Sequence, residues 1–201
     1  MTVAPMTDMP DTPQKRPWYI PPEGGFRAED LDRIPELPPH TELIDGSLVF
    51  VSPQASFHEL TMGVLVNGLR RTAPSSVRVR REMTVTLDPR QRPEPDVLVV
   101  RAEAIEGRRQ TDFRPADIIL AVEVVSPDSE ARDRKRKPQL YAEAGIPHFW
   151  RVEDSEGRST VCVYELDVAT MAYALTGIYH DRLKLTVPFD IDIDLTEIDR
   201  L

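Results

Sequence analysis

The chain has 201 residues, 40% of them hydrophobic, a single cysteine and a formal net charge of −9 at pH 7. That length and apolar content suit one ordinary core, and a lone Cys162 excludes an internal disulfide framework and a thiolate zinc site. No apolar run approaches the roughly 20 residues that span a bilayer, and the first residues lack the basic start and apolar stretch of a signal peptide, so the expected compartment is the cytoplasm.

Residues 1–25 are proline-rich and poor in aliphatics, which predicts a disordered tail ahead of a single domain over 26–201. Arg27 to Ile34 predicts a short helix stopped by Pro35. Thr41 to Val51 reads as a hairpin with Asp45-Gly46 at its turn. Ser56 to Ala73 is the clearest helix, with Phe57, Leu60, Val64 and Leu69 near helical spacing and Ser56 as a candidate cap. Val77 to Leu87 alternates and predicts a partly exposed strand. Two buried strands are expected near 96–100 and 117–125, after a turn at 88–93.

Ser129 to Ala144 has a helical pattern, but Pro138 removes an amide donor and disfavours α geometry at Lys137. The helix is therefore either kinked there or begins at Pro138. Strands follow at 148–152, 159–166, 171–179 and 183–187, the last three as a meander, and Asp190 to Leu195 alternates like an edge strand. This order predicts an α/β fold with a mixed sheet flanked by helices, carrying an added N-terminal hairpin and a C-terminal β-meander.

The chemistry centres on Asp96 in Arg-Pro-Glu-Pro-Asp-Val and Glu123 in Ala-Val-Glu-Val-Val-Ser-Pro, each at the end of an apolar run. Carboxylates at the ends of buried strands cost desolvation, and two on neighbouring strands repel each other. An oxygen-coordinated divalent ion, Mg²⁺ best, relieves both costs. The basic run Arg132 to Lys137 begins nine residues later, and Arg70 to Lys137 holds sixteen basic against twelve acidic residues, the one net-basic stretch of the chain. The plainer account is that Asp96 caps the start of a strand and Glu123 pairs with a nearby arginine on a mixed surface. His58, early in the long helix, either bonds a ligand or attacking water or is a helix-end histidine. Glu42 either belongs to the site or fixes turn and register. Tyr141 and Trp150 read as core residues, and His40, His148 and His180 show no metal-ligand spacing.

Taken in order, Glu42-Leu-Ile-Asp-Gly, His58, Pro95-Asp96-Val, Glu123-Val-Val-Ser-Pro, then Asp133, Lys137 and Tyr141 at four-residue steps, then Gly145-Ile-Pro-His-Phe-Trp150 resemble the "Putative restriction endonuclease" family, the Uma-type endonuclease domain of the PD-(D/E)xK nuclease superfamily. The resemblance implies a restriction-endonuclease-like core, with Asp96 and Glu123 holding Mg²⁺ (or Mn²⁺ in its place) beside the backbone carbonyl region at Val125. It further implies DNA as substrate, with a homodimer as the analogous assembly and neither an organic cofactor nor a membrane partner. The superfamily's usual lysine, two residues after the glutamate, is Val125 here. The resemblance moves that charge to Lys137, with Lys135 as the rival. The expected function is a metal-dependent DNA endonuclease, and the alternative is an inactive relative that binds nucleic acid or a protein.

Overall fold

The computed structural model describes residue 17 and residues 19–200, so most of the predicted tail lies outside the described residues. A four-residue helix, α1 (Asp30–Arg33), ends before Pro35 as expected. The hairpin is β1 (Glu42–Ile44) with β2 (Ser47–Val49), and Asp45 and Gly46 take φ of 53° and 74° at its turn. Positive φ at both central residues is what a tight hairpin of matching twist requires, and Asp-Gly supplies it at low strain.

The long helix α2 (Ser56–Thr72) begins one residue earlier than a Ser56 cap would require. Ala55 is the extended residue before it and no side chain caps the end, so Ser56 lies inside the first turn. The predicted strand 77–87 breaks in two, because Glu82 at φ 50° turns the chain. β3 (Val77–Arg81) stays in the main sheet. β4 (Thr84–Val85) leaves it and pairs in parallel with β6 (Asp112–Phe113). The two apolar runs are β5 (Val97–Arg101) and β7 (Ile118–Val124).

Pro138 neither starts the helix nor ends it. Residues 132–136 form a widened π turn, closed by the Lys137 amide on the Arg132 carbonyl, and α3 (Lys137–Glu143) continues from it with Pro138 in its first turn. Such a turn accommodates irregular hydrogen bonding inside a helix and is frequent at functional sites. β8 (His148–Ser155), β9 (Arg158–Asp167) and β10 (Ala172–Tyr179) follow.

The six-stranded sheet has the order β10-β9-β8-β7-β5-β3, with β7 and β8 parallel and the remaining neighbours antiparallel, so it is mixed as predicted. The meander is shorter than the sequence suggested. β11 (Arg182–Leu185) and β12 (Ile191–Asp194) form a separate two-stranded hairpin, not an edge of the main sheet. Ile191 and Ile193 turn inward because they pack against α2. The approach is close enough that a Cβ on Gly68 would stand 2.6 Å from Ile193 Cγ1.

Alternation along the central strands sorts the core into two layers. Val97, Val99, Leu120, Val122 and Val124 face α2, whereas Leu98, Val100, Ile118 and Ala121 join Tyr141 and Phe149 on the α3 side. Glu123 lies between Val122 and Val124, so its side chain emerges on the α3 side.

Candidate active site

The register of β5 and β7 pairs Val97 with Val122, which sets Asp96 across from Glu123. Glu123 stands on the α3 side, whereas Asp96, just before β5, turns its side chain to the β7 main chain and to α2. Asp96 Oδ2 accepts the Val124 amide at 2.6 Å, and Oδ1 lies 3.0 Å from His58 Nε2. The plainer account of Asp96 as a strand-end cap is thus part of the arrangement. Glu123 pairs with a lysine, however, and not with an arginine.

Lys137 Nζ lies 2.9 Å from Glu123 Oε2, 2.9 Å from Glu42 Oε1 and 3.3 Å from Asp133 Oδ1. All four residues are buried, Lys137 at 4% exposure and Glu123 at 1%. An ammonium has three donors, and three carboxylates lie within ion-pair reach of this one. Burial works against the Lys137 charge, but Glu123, Glu42, Asp133 and Asp96 outweigh it and hold the ammonium well above its usual range. Burial pushes the Glu123 carboxyl well up; Lys137 opposes that, while Asp133, Asp96 and Glu42 add to it. Asp133 is raised for the same first reason, again against the pull of Lys137.

Local geometry explains how Glu42 arrives. The Leu43 and Arg92 backbones exchange hydrogen bonds at 3.0 and 2.7 Å, which locks β1 beside the segment leading to Asp96. Glu42 Oε1 then also accepts the Glu94 amide at 2.7 Å. Lys135 is exposed and does not line the cleft, so of the two rivals it is Lys137 that the fold brings to the carboxylates. Val125 also stays outside the cleft. Its amide continues the ladder to the Val152 carbonyl, while its neighbours Val124 and Ser126 line the cleft.

Tyr141 has a polar role besides its place in the core. Its hydroxyl donates to Glu123 Oε1 at 2.5 Å, fully buried. The four-residue steps 133, 137 and 141 carried this signal, since such steps keep residues on neighbouring turns. Tyr141→Phe is expected to cost about 1.5–3 kcal/mol, the range for a hydrogen bond to a charged group. An unchanged urea midpoint would show the hydroxyl to be idle. Glu94 and His40 join the site without any motif in the sequence that marks them. They pair at 2.5 Å on the cleft wall, where the Glu94 hydrogen bond raises His40 and burial raises Glu94.

The cleft above these groups measures about 400 Å³. Arg132 lines it, with its Nε buried and without a hydrogen-bond partner. His58 Nδ1 and Asp133 Oδ1 are likewise buried and without one.

Residues 28–196 match the family described as "Putative restriction endonuclease" (Uma2). The chain belongs to that family. The matched span contains the cleft residues Glu42 on the hairpin, Asp96, Glu123, and Lys137 on α3. A crystal structure from Anabaena variabilis, titled as a putative nuclease belonging to DUF820, superposes with a TM-score of 0.63 at 19% identity, covering 86% of this chain and 91% of that one. At that identity the likeness shows the fold. No curated protein matches the chain.

The donor set of this Uma2 family member can be tested for a metal. Among the described residues, no three His, Cys, Asp or Glu side chains form a ready-made cage. Asp96 and Glu123 offer hard oxygen donors, as Mg²⁺ prefers, and Mg²⁺ commonly binds through one or two carboxylates while keeping several waters. The charges point the same way. Glu42, Asp96, Glu123 and Asp133 surround one lysine, an excess of acid that an added cation offsets. The residues fit such an ion.

Proposed function

We propose that this chain is a Mg²⁺-dependent DNA endonuclease that hydrolyses phosphodiester bonds, with Asp96 and Glu123 as the metal ligands. The observation that carries this reading is the meeting of Asp96, Glu123 and Lys137 in one cleft about 400 Å³ in volume, at the start of β5 and the end of β7. When bound, the ion supplies charge for the phosphate and a water of lowered pKa. Lys137 orients Glu123 and offsets its charge. Asp96 is held in place by the Val124 amide and His58, which keeps the two carboxylates from turning apart. Arg132 is the cleft-lining guanidinium without an ion pair among the described residues, and so is free to meet a phosphate oxygen. The cytoplasm is the compartment of this reading, and a two-fold dimer suits it because two symmetric sites cut two strands.

The test is incubation of purified protein with plasmid and with single-stranded DNA, in Mg²⁺ or Mn²⁺ and in chelator. Nicking or linearisation that needs the metal and is lost in Asp96→Asn is the expected result. A second reading, a binder that does not cut, draws on the saturation of Glu123, both of whose oxygens already accept protein donors. Metal-independent retention of DNA without any cleavage would favour it.

A further inference from the structure

The cleft continues past its carboxylates. It shares Pro38, His40, Glu82 and Glu94 with a second hollow. That hollow shares Met83 and Gln110 with a third, lined by Arg80 and Arg108. The sheet register fixes what faces this path. β3 pairs Arg81 with Val97, so Glu82 stands across from Asp96, its amide on the Asp96 carbonyl at 3.2 Å. Alternation carries the same face back to Arg80 and Arg78, opposite Leu98 and Val100 on the α3 side. The two arginines thus share a sheet face with Glu123 and stand about 7 and 13 Å along the strand from Glu82, at about 3.3 Å per residue. β3 is an edge of the sheet, and among the described residues no further strand covers it.

Charge on this edge is one-sided. Residues 70–81 hold five arginines and no acid, in a chain of net charge −9. Arg81 reaches Glu82. Among the described residues, Arg70, Arg71, Arg78, Arg80 and Arg108 pair with no carboxylate, although Glu103 and Glu106 occupy the same loop as Arg108. Arg78 and Arg80 bond only main-chain carbonyls, each through one Nη, which leaves their other donors unused. Burial, then Arg70 and Arg78, act against the charge of Arg80. Like charges held together without partners are an unfavourable arrangement that a polyanion reverses.

We propose that the β3 edge, centred on Arg78 and Arg80 and flanked by Arg70 and Arg108, docks the phosphate backbone of a nucleic acid and leads it along the groove to the carboxylates. The direction into the cleft rests on the nuclease reading; the docking itself does not. Binding of a short fluorescent duplex and of a single strand, measured in chelator across a salt series, tests it. The Arg78→Glu/Arg80→Glu variant is expected to raise Kd at least about tenfold and to lower the salt slope by about 2, near 0.9 for each duplex phosphate that is no longer neutralised. Arg78→Gln/Arg80→Gln should move the slope the same way with a smaller rise in Kd, and a thermal melt checks that both variants fold. Arg158→Glu, at the turn between β8 and β9, serves as the control and should change neither quantity. No change in the paired variants, equal weakening by Arg158→Glu, or no binding by the unmodified chain to either probe overturns the proposal. Hydrolysis of bis(p-nitrophenyl) phosphate, small enough to use the cleft without the edge, judges the nuclease reading separately and should survive both paired substitutions.

Discussion

Lys137→Met is expected to destabilise the chain by about 3–5 kcal/mol, the usual cost of leaving buried charge without its partner. Three carboxylates, Glu42, Glu123 and Asp133, depend on this one ammonium, and all are buried. For a domain of this size such a loss lowers Tm by about 6–20 °C. The sign of its pH dependence follows from the raised groups. Lys137 has its folded pKa raised, so its contribution is fully present below the unfolded value and is lost only as pH rises through the folded one. In the variant, Glu123 and Asp133 escape part of the penalty by protonating, and both start from raised values. The destabilisation should therefore be largest at mildly alkaline pH and shrink as pH falls. Lys135→Ala, on the exposed side of the π turn, should stay within about 0.5 kcal/mol. Urea unfolding at two pH values measures both. Equal small effects would remove Lys137 from the centre of the cluster. Any loss of cleavage in a Lys137 variant must accordingly be measured well below its Tm, where the protein is folded.

Most of this centre could be read from the sequence, and the parts that could not share a physical cause. Asp96 and Glu123 announce themselves because a carboxylate ending a Val/Leu run is chemically out of place, and antiparallel register then has few ways to arrange them. Glu42 was harder. Its nearness to Lys137 depends on the Leu43–Arg92 backbone pairing, a contact across 49 positions that no local pattern encodes. Tyr141 read as core because burial and polar function look alike when the partner is distant in sequence. At Pro138 the choice between a kink and a start omitted the π turn, which keeps the helix running and sets Asp133 and Lys137 within 3.3 Å. At Glu82 a single left-handed residue ended a strand that its alternating pattern would have continued. The C-terminal alternation marked a strand yet said nothing of which sheet it joined, since a hairpin packed on α2 imposes the same period as an edge strand.

Glu123→Gln is expected to abolish cleavage and to stabilise the fold, opposite outcomes from one substitution. Glu123 is 1% exposed and burial raises its carboxyl well above the ordinary range, so its ionised form is a standing cost. Glutamine keeps the shape and removes that charge. Its amide oxygen can stay with Lys137, while the Tyr141 hydroxyl, able to accept as well as donate, takes the amide N–H. Lys137 retains Glu42 and Asp133, so no orphaned cation results. Replacing a buried charge in this way typically stabilises by about 1–2 kcal/mol, the usual exchange of activity for stability at a site. With its folded pKa raised, wild-type Glu123 holds its proton longer in the folded state, so stability falls as pH rises from the unfolded value to the folded one. The variant lacks that fall, so the gap between the two proteins opens across that window and is flat above it. Metal closes the gap from the other side. Mg²⁺ that binds the folded wild type raises its Tm by mass action and should leave the variant unmoved. Cleavage should drop by at least about 10²-fold. Thermal melts of both proteins at about pH 8, in chelator and in Mg²⁺, carry the decision. A variant less stable than wild type in chelator would mean that the Lys137 pairing outweighs the burial of Glu123. An equal Mg²⁺ shift in both proteins would remove Glu123 from the metal site.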